Sequence, residues 1–299
     1  MNVLVNLNNE VDAFQIKEVH KSRLKEEFPQ HQFKFVDTYD EFKSSLAWAE
    51  SAILWFFPEK LFPHAINLKN IHTPAAGKDW VAIDKTGKVK THFSSFHGHI
   101  IAESFLAMLF YRNNRLDLAS KSQSQKKWDR NAFGERSLIR NKKLLIIGFG
   151  NIGQICAVQC SSLGLEVAGA CRNLKRKTNF SLLPISSIES YIGEFDILLN
   201  LLPGNTETEG FISTSMIDSM KDGVEFYNFG RGTTVDQDAL IKALKGNKIS
   251  FAGLDVFAME PLEEDSELWD LENALITPHS SCCYEDYLHL FIDELKAKL

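Results

Sequence analysis

Short apolar runs alternate along this chain with charged, amphipathic segments, at a spacing that predicts strands followed by helices. Residues 3–7 form the first apolar run, and residues 10–28 carry the three-to-four-residue periodicity of a helix. Residues 33–36 read as a second strand, 41–49 as a helix and 52–57 as a third strand. The turn-rich stretch over 71–79 reads as a loop. Residues 99–116 then predict a long helix, apolar on more than one side, as suits a helix buried in a domain or at a subunit interface. Alternation resumes at Lys142, with strands over 144–147, 166–170, 196–202, 225–228, 250–254 and 274–276. The clearest helix of this half covers 236–245, and a last one runs from about residue 284. Alternation of this kind in both halves predicts α/β architecture with parallel sheets.

The strand over 144–147 turns into a helical pattern through Gly148-Phe149-Gly150-Asn151-Ile152-Gly153. In that setting a first glycine permits the tight turn, a second lets backbone approach a pyrophosphate, and a third lets helix pack on strand. The helix N-terminus then points its N–H groups at the phosphates. Such a turn predicts a bound nicotinamide dinucleotide. Composition narrows the remainder. At 299 residues there is room for two domains, and a formal net charge of -6 argues against nucleic acid or an anionic membrane as partner. No apolar run is long enough for a membrane span, and the N-terminus reads as a strand rather than a signal peptide. Five cysteines, an odd number without zinc-site spacing, suit a reducing cytoplasm.

Three polar groups follow successive strands downstream of the glycine turn. Arg231 lies in Asn228-Phe229-Gly230-Arg231-Gly232, Glu260 in the stretch from Asp255 to Leu262, and His279 in Thr277-Pro278-His279. Ligands of open α/β sheets bind outside the carboxyl ends of strands. An imidazole can give a proton near neutral pH, a carboxylate beside it favours the imidazolium and holds its tautomer, and a guanidinium can grip a carboxylate with two parallel bonds. In order and spacing these motifs resemble the D-isomer-specific 2-hydroxyacid dehydrogenases over essentially the whole chain. The resemblance implies a Rossmann-type cofactor domain (98–277) inserted into a flavodoxin-like substrate domain (1–97 plus 278–299), with a cleft between them. It implies that Arg231, Glu260 and His279 are catalytic, with Ala76 and Gly77 joining Arg231 and His279 on the substrate. Cofactor contacts would come from the glycine turn, Leu202, Pro203, Thr208, Phe229, Gly230, Arg231, Asp255 and His279. It implies a homodimer through residues 99–140 and no metal.

The strand over 166–170 ends in Cys171-Arg172-Asn173-Leu174-Lys175-Arg176-Lys177, where NAD-selective relatives of this fold carry an acid for the ribose 2′-hydroxyl. Cations there would attract a 2′-phosphate, so Arg172, Asn173, Lys175 and Arg176 predict NADP(H) preference, with NAD(H) possible. The short chain and basic patch look most like the glyoxylate/hydroxypyruvate reductase branch: a cytoplasmic reductase turning small 2-oxo acids into D-2-hydroxy acids. The alternatives are an NAD-dependent dehydrogenase of a larger or phosphorylated acid, and a non-catalytic dinucleotide sensor of the same fold. Lys78, where the family has an apolar residue, could bring a further cation to the substrate or point to solvent. His92, His97 and His99 lack interleaved thiolates or carboxylates and read as strand or loop histidines. Trp128, after the long helix, reads as a packing residue.

Overall fold

In the computed structural model, which describes residues 1–299, the chain divides into two units, residues 1–97 with 282–299, and residues 98–281. The first unit carries a five-stranded sheet, parallel at every pairing: β1 (Asn2–Asn6), β2 (Gln32–Phe35), β3 (Ser51–Leu54), β4 (Asn70–Thr73) and β5 (Lys90–Phe93). Their order, β2-β1-β3-β4-β5, is the flavodoxin-like one. Interior strand β3 is buried throughout, whereas edge strand β2 alternates exposed and half-buried positions, as expected where one side of a strand lacks a neighbour. Helices α1 (Glu18–Glu27) and α2 (Tyr39–Ser45) flank the sheet, and Leu4, Phe42, Leu46, Leu54, Phe57 and Ile71 share one core. The C-terminal helix Tyr287–Leu295 also belongs here. Its Tyr287 hydroxyl donates to the Pro74 carbonyl (3.1 Å), its Glu294 accepts from the Ser95 and Phe96 amides, and Arg23 of α1 donates to its Asp293.

Two expectations for this unit change. The helix read over 10–28 is confined to Glu18–Glu27, because Asn9 and Gln15 divert the chain into local turns. The Val11 amide donates to Asn9 Oδ1 (2.9 Å) and the Asn9 amide to Gln15 Oε1 (2.6 Å), side-chain bonds that compete with the helix ladder. The stretch read as a loop from 71 begins inside β4, whose mixed polar sequence hides a strand buried at Ile71, His72 and Thr73.

The second unit is a seven-stranded parallel sheet in the order β12-β11-β10-β9-β6-β7-β8. Its strands are β6 (Lys143–Ile147), β7 (Glu166–Cys171), β8 (Ser181–Pro184), β9 (Ile197–Asn200), β10 (Val224–Asn228), β11 (Ile249–Leu254) and β12 (Ala274–Ile276). Counted from β6, this is the Rossmann order with one strand added, and the strand order reverses between β6 and β9. Helices α3 (Gly98–Asn113), α4 (Leu116–Ser124), α5 (Asn151–Ser162), α6 (Thr214–Ser219) and α7 (Gln237–Lys245) complete it. Asp236 caps α7 by accepting from the Ala239 amide (3.0 Å). The same helix buries Leu240 and Leu244 against the sheet, each contributing about 1.5–3 kcal/mol.

The helix read over 99–116 ends earlier, at Asn113, and α4 starts after a break. Asn114 turns its side-chain Nδ2 back to donate to the Phe110 carbonyl (3.1 Å), and Arg115 enters the left-handed region (φ 51), which stops the helix. The boundary expected after residue 277 lies after 281. Ser280 and Ser281 stay with the second unit because their amides donate to Asp255 Oδ1 (2.9 and 3.2 Å).

Candidate active site

The glycine turn follows β6 at the point where the strand order reverses, and each glycine meets a different constraint. Gly148 has φ +95, and a Cβ there would lie 2.9 Å from the Leu201 backbone, so no side chain fits. A Cβ on Gly153 would lie 3.2 Å from the Gly148 carbonyl and from Ile146, which keeps α5 tight on β6. At Gly150 a Cβ would meet no atom within 4 Å. Gly150 is also the N-cap of α5 and offers no side-chain cap, so the first-turn N–H groups face that open space. Open space above an uncapped helix N-terminus fits a pyrophosphate. Asn151, Ile152 and half-buried Gln154 continue the helix, and Phe149 is buried beneath the turn.

Across the reversal, β9 and β10 end in buried asparagines that anchor the next two turns. Asn200 donates to Asn228 Oδ1 (3.0 Å) and Thr234 Oγ1 (2.8 Å), and its Oδ1 accepts from the Leu202 amide (3.2 Å). Asn228 Oδ1 accepts from the Gly230 amide (3.2 Å), and Thr234 donates to the Arg231 carbonyl (2.6 Å). Leu202 and Phe229 are buried, while Thr208 folds back onto the Pro203 carbonyl (2.5 Å). The turn carrying Arg231 therefore hangs from a satisfied buried network, which favours one geometry. Gly232 brings it against the next loop: a Cβ there would overlap the Phe257 backbone at 1.8 Å. Arg231 Nη1 donates to the Gly230 carbonyl (2.9 Å).

Arg231, Glu260 and His279 follow β10, β11 and β12, so all three stand beyond carboxyl ends of neighbouring strands. His279 Nδ1 lies 2.7 Å from Glu260 Oε2, and the other Glu260 oxygen accepts from the Phe257 amide (2.9 Å). Burial raises the Glu260 carboxyl, yet bonding to His279 and the Phe257 amide, with the charges of His279 and Arg231, outweighs it and holds the group below the usual carboxylate range. His279 itself has φ 49, a left-handed conformation that costs about 1–3 kcal/mol unless its surroundings fix it. Asp255 does so. It is fully buried, its carbonyl accepts from the His279 amide (2.8 Å), and its Oδ1 accepts from the Thr277 hydroxyl (2.6 Å). An acid–base pair with a guanidinium close enough to act on its charge can bind an anion and give a proton.

The cations at the end of β7 sit beside the glycine turn. Arg176 Nη1 donates to Asn151 Oδ1 (3.1 Å), the first residue of α5. Arg172 and Lys175 are exposed, Asn173 Oδ1 accepts from the Lys175 amide (3.1 Å), and Arg172 Nη1 is paired with Glu207 Oε2 at 2.6 Å. Glu207, Asn200 and Thr234 had no signal in the chain beyond being polar residues in or after apolar runs. In the first unit, Ala76 and Gly77 lie half-buried in the loop after β4, and Lys78 Nζ lies 5.9 Å from the Phe93 ring centroid. His97 bonds the Tyr287 hydroxyl (2.8 Å), His92 stacks on His72, and His99 contacts Gln159. Trp128 departs from its expected packing role, being 89% exposed in a stretch where every residue from 123 to 132 is exposed.

Comparison with known proteins agrees on the family. A model described as "D-isomer specific 2-hydroxyacid dehydrogenase, NAD binding domain" matches residues 106–281. A probable 2-ketogluconate reductase of Dictyostelium discoideum is 34% identical over 186 residues, which are 60% of this chain and 55% of that protein, so the match spans about half of that relative. The hydroxypyruvate reductase of Thermotoga maritima is 30% identical over 220 residues, 71% of this chain and 70% of that one. Among solved structures, a D-isomer-specific 2-hydroxyacid dehydrogenase from Xanthobacter autotrophicus, in complex with NADPH and MES, shares the fold with a TM-score of 0.84 at 24% identity, covering 99% of this chain and 94% of that one. The chain belongs to the D-isomer-specific 2-hydroxyacid dehydrogenase family.

Proposed function

We propose that this protein reduces small 2-oxo acids of the glyoxylate and hydroxypyruvate kind to D-2-hydroxy acids, preferring NADPH. The observation that carries the reading is the 2.7 Å contact between His279 and Glu260, with Arg231 on the adjoining strand end. The reduced nicotinamide, when bound, supplies the hydride. Arg231 takes the substrate carboxylate and polarises the keto oxygen. With Nδ1 held by Glu260, His279 presents its proton on Nε2 and gives it to the forming alkoxide. Glu260, kept ionised, stabilises the imidazolium before that transfer and fixes the ring tautomer.

Asp255 holds the His279 loop and closes the nicotinamide end of the site, while Leu202, Pro203, Thr208, Phe229 and Gly230 frame the cofactor. Arg172, Asn173, Lys175 and Arg176 receive the adenosine end, and their positive charge favours a 2′-phosphate over an unmodified ribose. We infer in addition a homodimer formed through residues 99–140, where Leu116, Trp128 and Leu138 are exposed apolar groups, and a cytoplasmic setting for the five free thiols. The test is oxidation of NADPH and of NADH with glyoxylate, hydroxypyruvate and pyruvate in parallel. Faster turnover with NADPH than with NADH, and with glyoxylate or hydroxypyruvate than with pyruvate, is expected. Tight cofactor binding without turnover on any acid would instead favour a dinucleotide sensor.

A further inference from the structure

Glu207 is the one carboxylate ion-paired with the basic patch, and it arrives there by design of its loop. The Glu207 amide donates to Asn205 Oδ1 (2.9 Å), the Asn205 amide donates to Thr208 Oγ1 (3.1 Å), and Thr208 donates to the Pro203 carbonyl. These bonds present Glu207 to Arg172, whose Nη1 lies 2.6 Å from Oε2. Both side chains are largely exposed, at 79% and 70%. An exposed pair of this kind stabilises little, so its presence does little for the fold. Its effect falls on whatever else Arg172 could hold.

We propose that Glu207 is a specificity-determining residue, a competitor for Arg172 that weakens binding of a 2′-phosphate and thereby narrows the preference for NADP(H) over NAD(H). The proposal rests on the reading of Arg172 as a 2′-phosphate ligand. Two effects of Glu207 oppose each other. By pairing with Arg172 it orders the guanidinium, which helps any ligand that approaches the remaining N–H groups. By charge it repels a phosphate that brings close to two negative charges to the same guanidinium. For an exposed pair the ordering effect is small, whereas repulsion acts on the doubled charge, so repulsion wins. An unphosphorylated ribose carries no charge for Glu207 to repel, and its hydroxyls can donate to the carboxylate. Glu207 therefore penalises one cofactor and spares the other.

The experiment measures dissociation constants of 2′,5′-ADP and 5′-ADP for the full chain and for Glu207→Gln, Arg172→Gln and the double variant, at low ionic strength. Glu207→Gln is expected to tighten 2′,5′-ADP roughly three- to tenfold and to leave 5′-ADP unchanged. The gain should vanish in the Arg172→Gln background and shrink in added salt. An unchanged or weakened affinity of Glu207→Gln for 2′,5′-ADP, with Arg172→Gln still lowering it, overturns the role of Glu207 and leaves the reading of Arg172 standing. A wild type indifferent to the 2′-phosphate, with Glu207→Gln gaining an Arg172-dependent preference, supports the competitor and overturns the NADPH preference of the native chain. Indifference in every variant overturns both.

Discussion

The two units share parallel-sheet architecture and differ in what their strands bury. In the second unit β6 and β9 through β11 are apolar almost throughout, and the polar residues come where strands end, as Asn200, Asn228 and Asp255. In the first unit a polar ring lies inside a strand. His72 of β4 is 1% exposed, stacks on His92 of β5 at 4.7 Å, and neither of its ring nitrogens has a hydrogen-bond partner. Burial, with the charges of His92 and Lys298, pushes that imidazole down to about 3. The second unit thus concentrates its polar groups at a site, fully bonded, whereas the first carries an unbonded base in its interior. The former is the arrangement proposed for chemistry, and the latter is expected to make stability depend on pH.

Variants can break this contrast. His279→Ala should slow 2-oxo acid reduction by roughly two to four orders of magnitude. Near-normal reduction in that variant would remove the proposed acid. Arg231→Lys keeps the charge but loses the planar fork, and kcat/KM for the acid should fall about ten- to a hundredfold. An effect on cofactor binding alone would show that the guanidinium serves the dinucleotide instead. Glu260→Gln should lower kcat about tenfold, with KM for the cofactor unchanged. Because the Glu260 carboxyl is held low in the fold, its contribution to stability is present above the unfolded carboxylate range and is lost as pH falls through the folded value. The difference in melting temperature between wild type and Glu260→Gln should therefore close in acid.

The smallest expected effect belongs to the first unit. An unfolded histidine titrates near 6.5 and His72 near 3, so the unfolded chain binds the extra proton between those values and stability falls as pH drops through that window. Between neutrality and pH 5 this amounts to about 2 kcal/mol, and His72→Leu should remove that share of the slope from denaturant titrations. An unchanged slope would mean that the ring finds a partner when protonated.

The same contrast explains what was legible in the chain. Strands β6, β9, β10 and β11 and the three groups after them could be read because apolar runs buried on both faces announce themselves, and their polar ends stand out. Residues 90–93 (KTHF) and 181–184 (SLLP) form edge strands, half solvated and mixed in sequence, and pairing with one neighbour rather than hydrophobic pattern makes them strands. The break at Arg115 depends on backbone handedness, which an arginine does not advertise. Glu207 was invisible for another reason: it meets Arg172 across 35 residues, through a loop whose shape comes from side-chain bonds at Asn205 and Thr208. Composition near Arg172 showed a basic patch, and only the fold brought an acid to it.

The chain leaves the first unit at His97 and returns to it at Cys282, after the whole second unit has intervened. Arg23 thus waits for Asp293, 270 positions later in the sequence. During synthesis the second unit can complete its sheet from contiguous chain, while the first remains without the helix Tyr287–Leu295 until the whole second unit has been made. Closing so long a loop afterwards adds little entropic penalty, since that penalty grows only with the logarithm of length. The delay is one of time, and a nascent first unit would lack the helix that receives Arg23 until the second unit has been made.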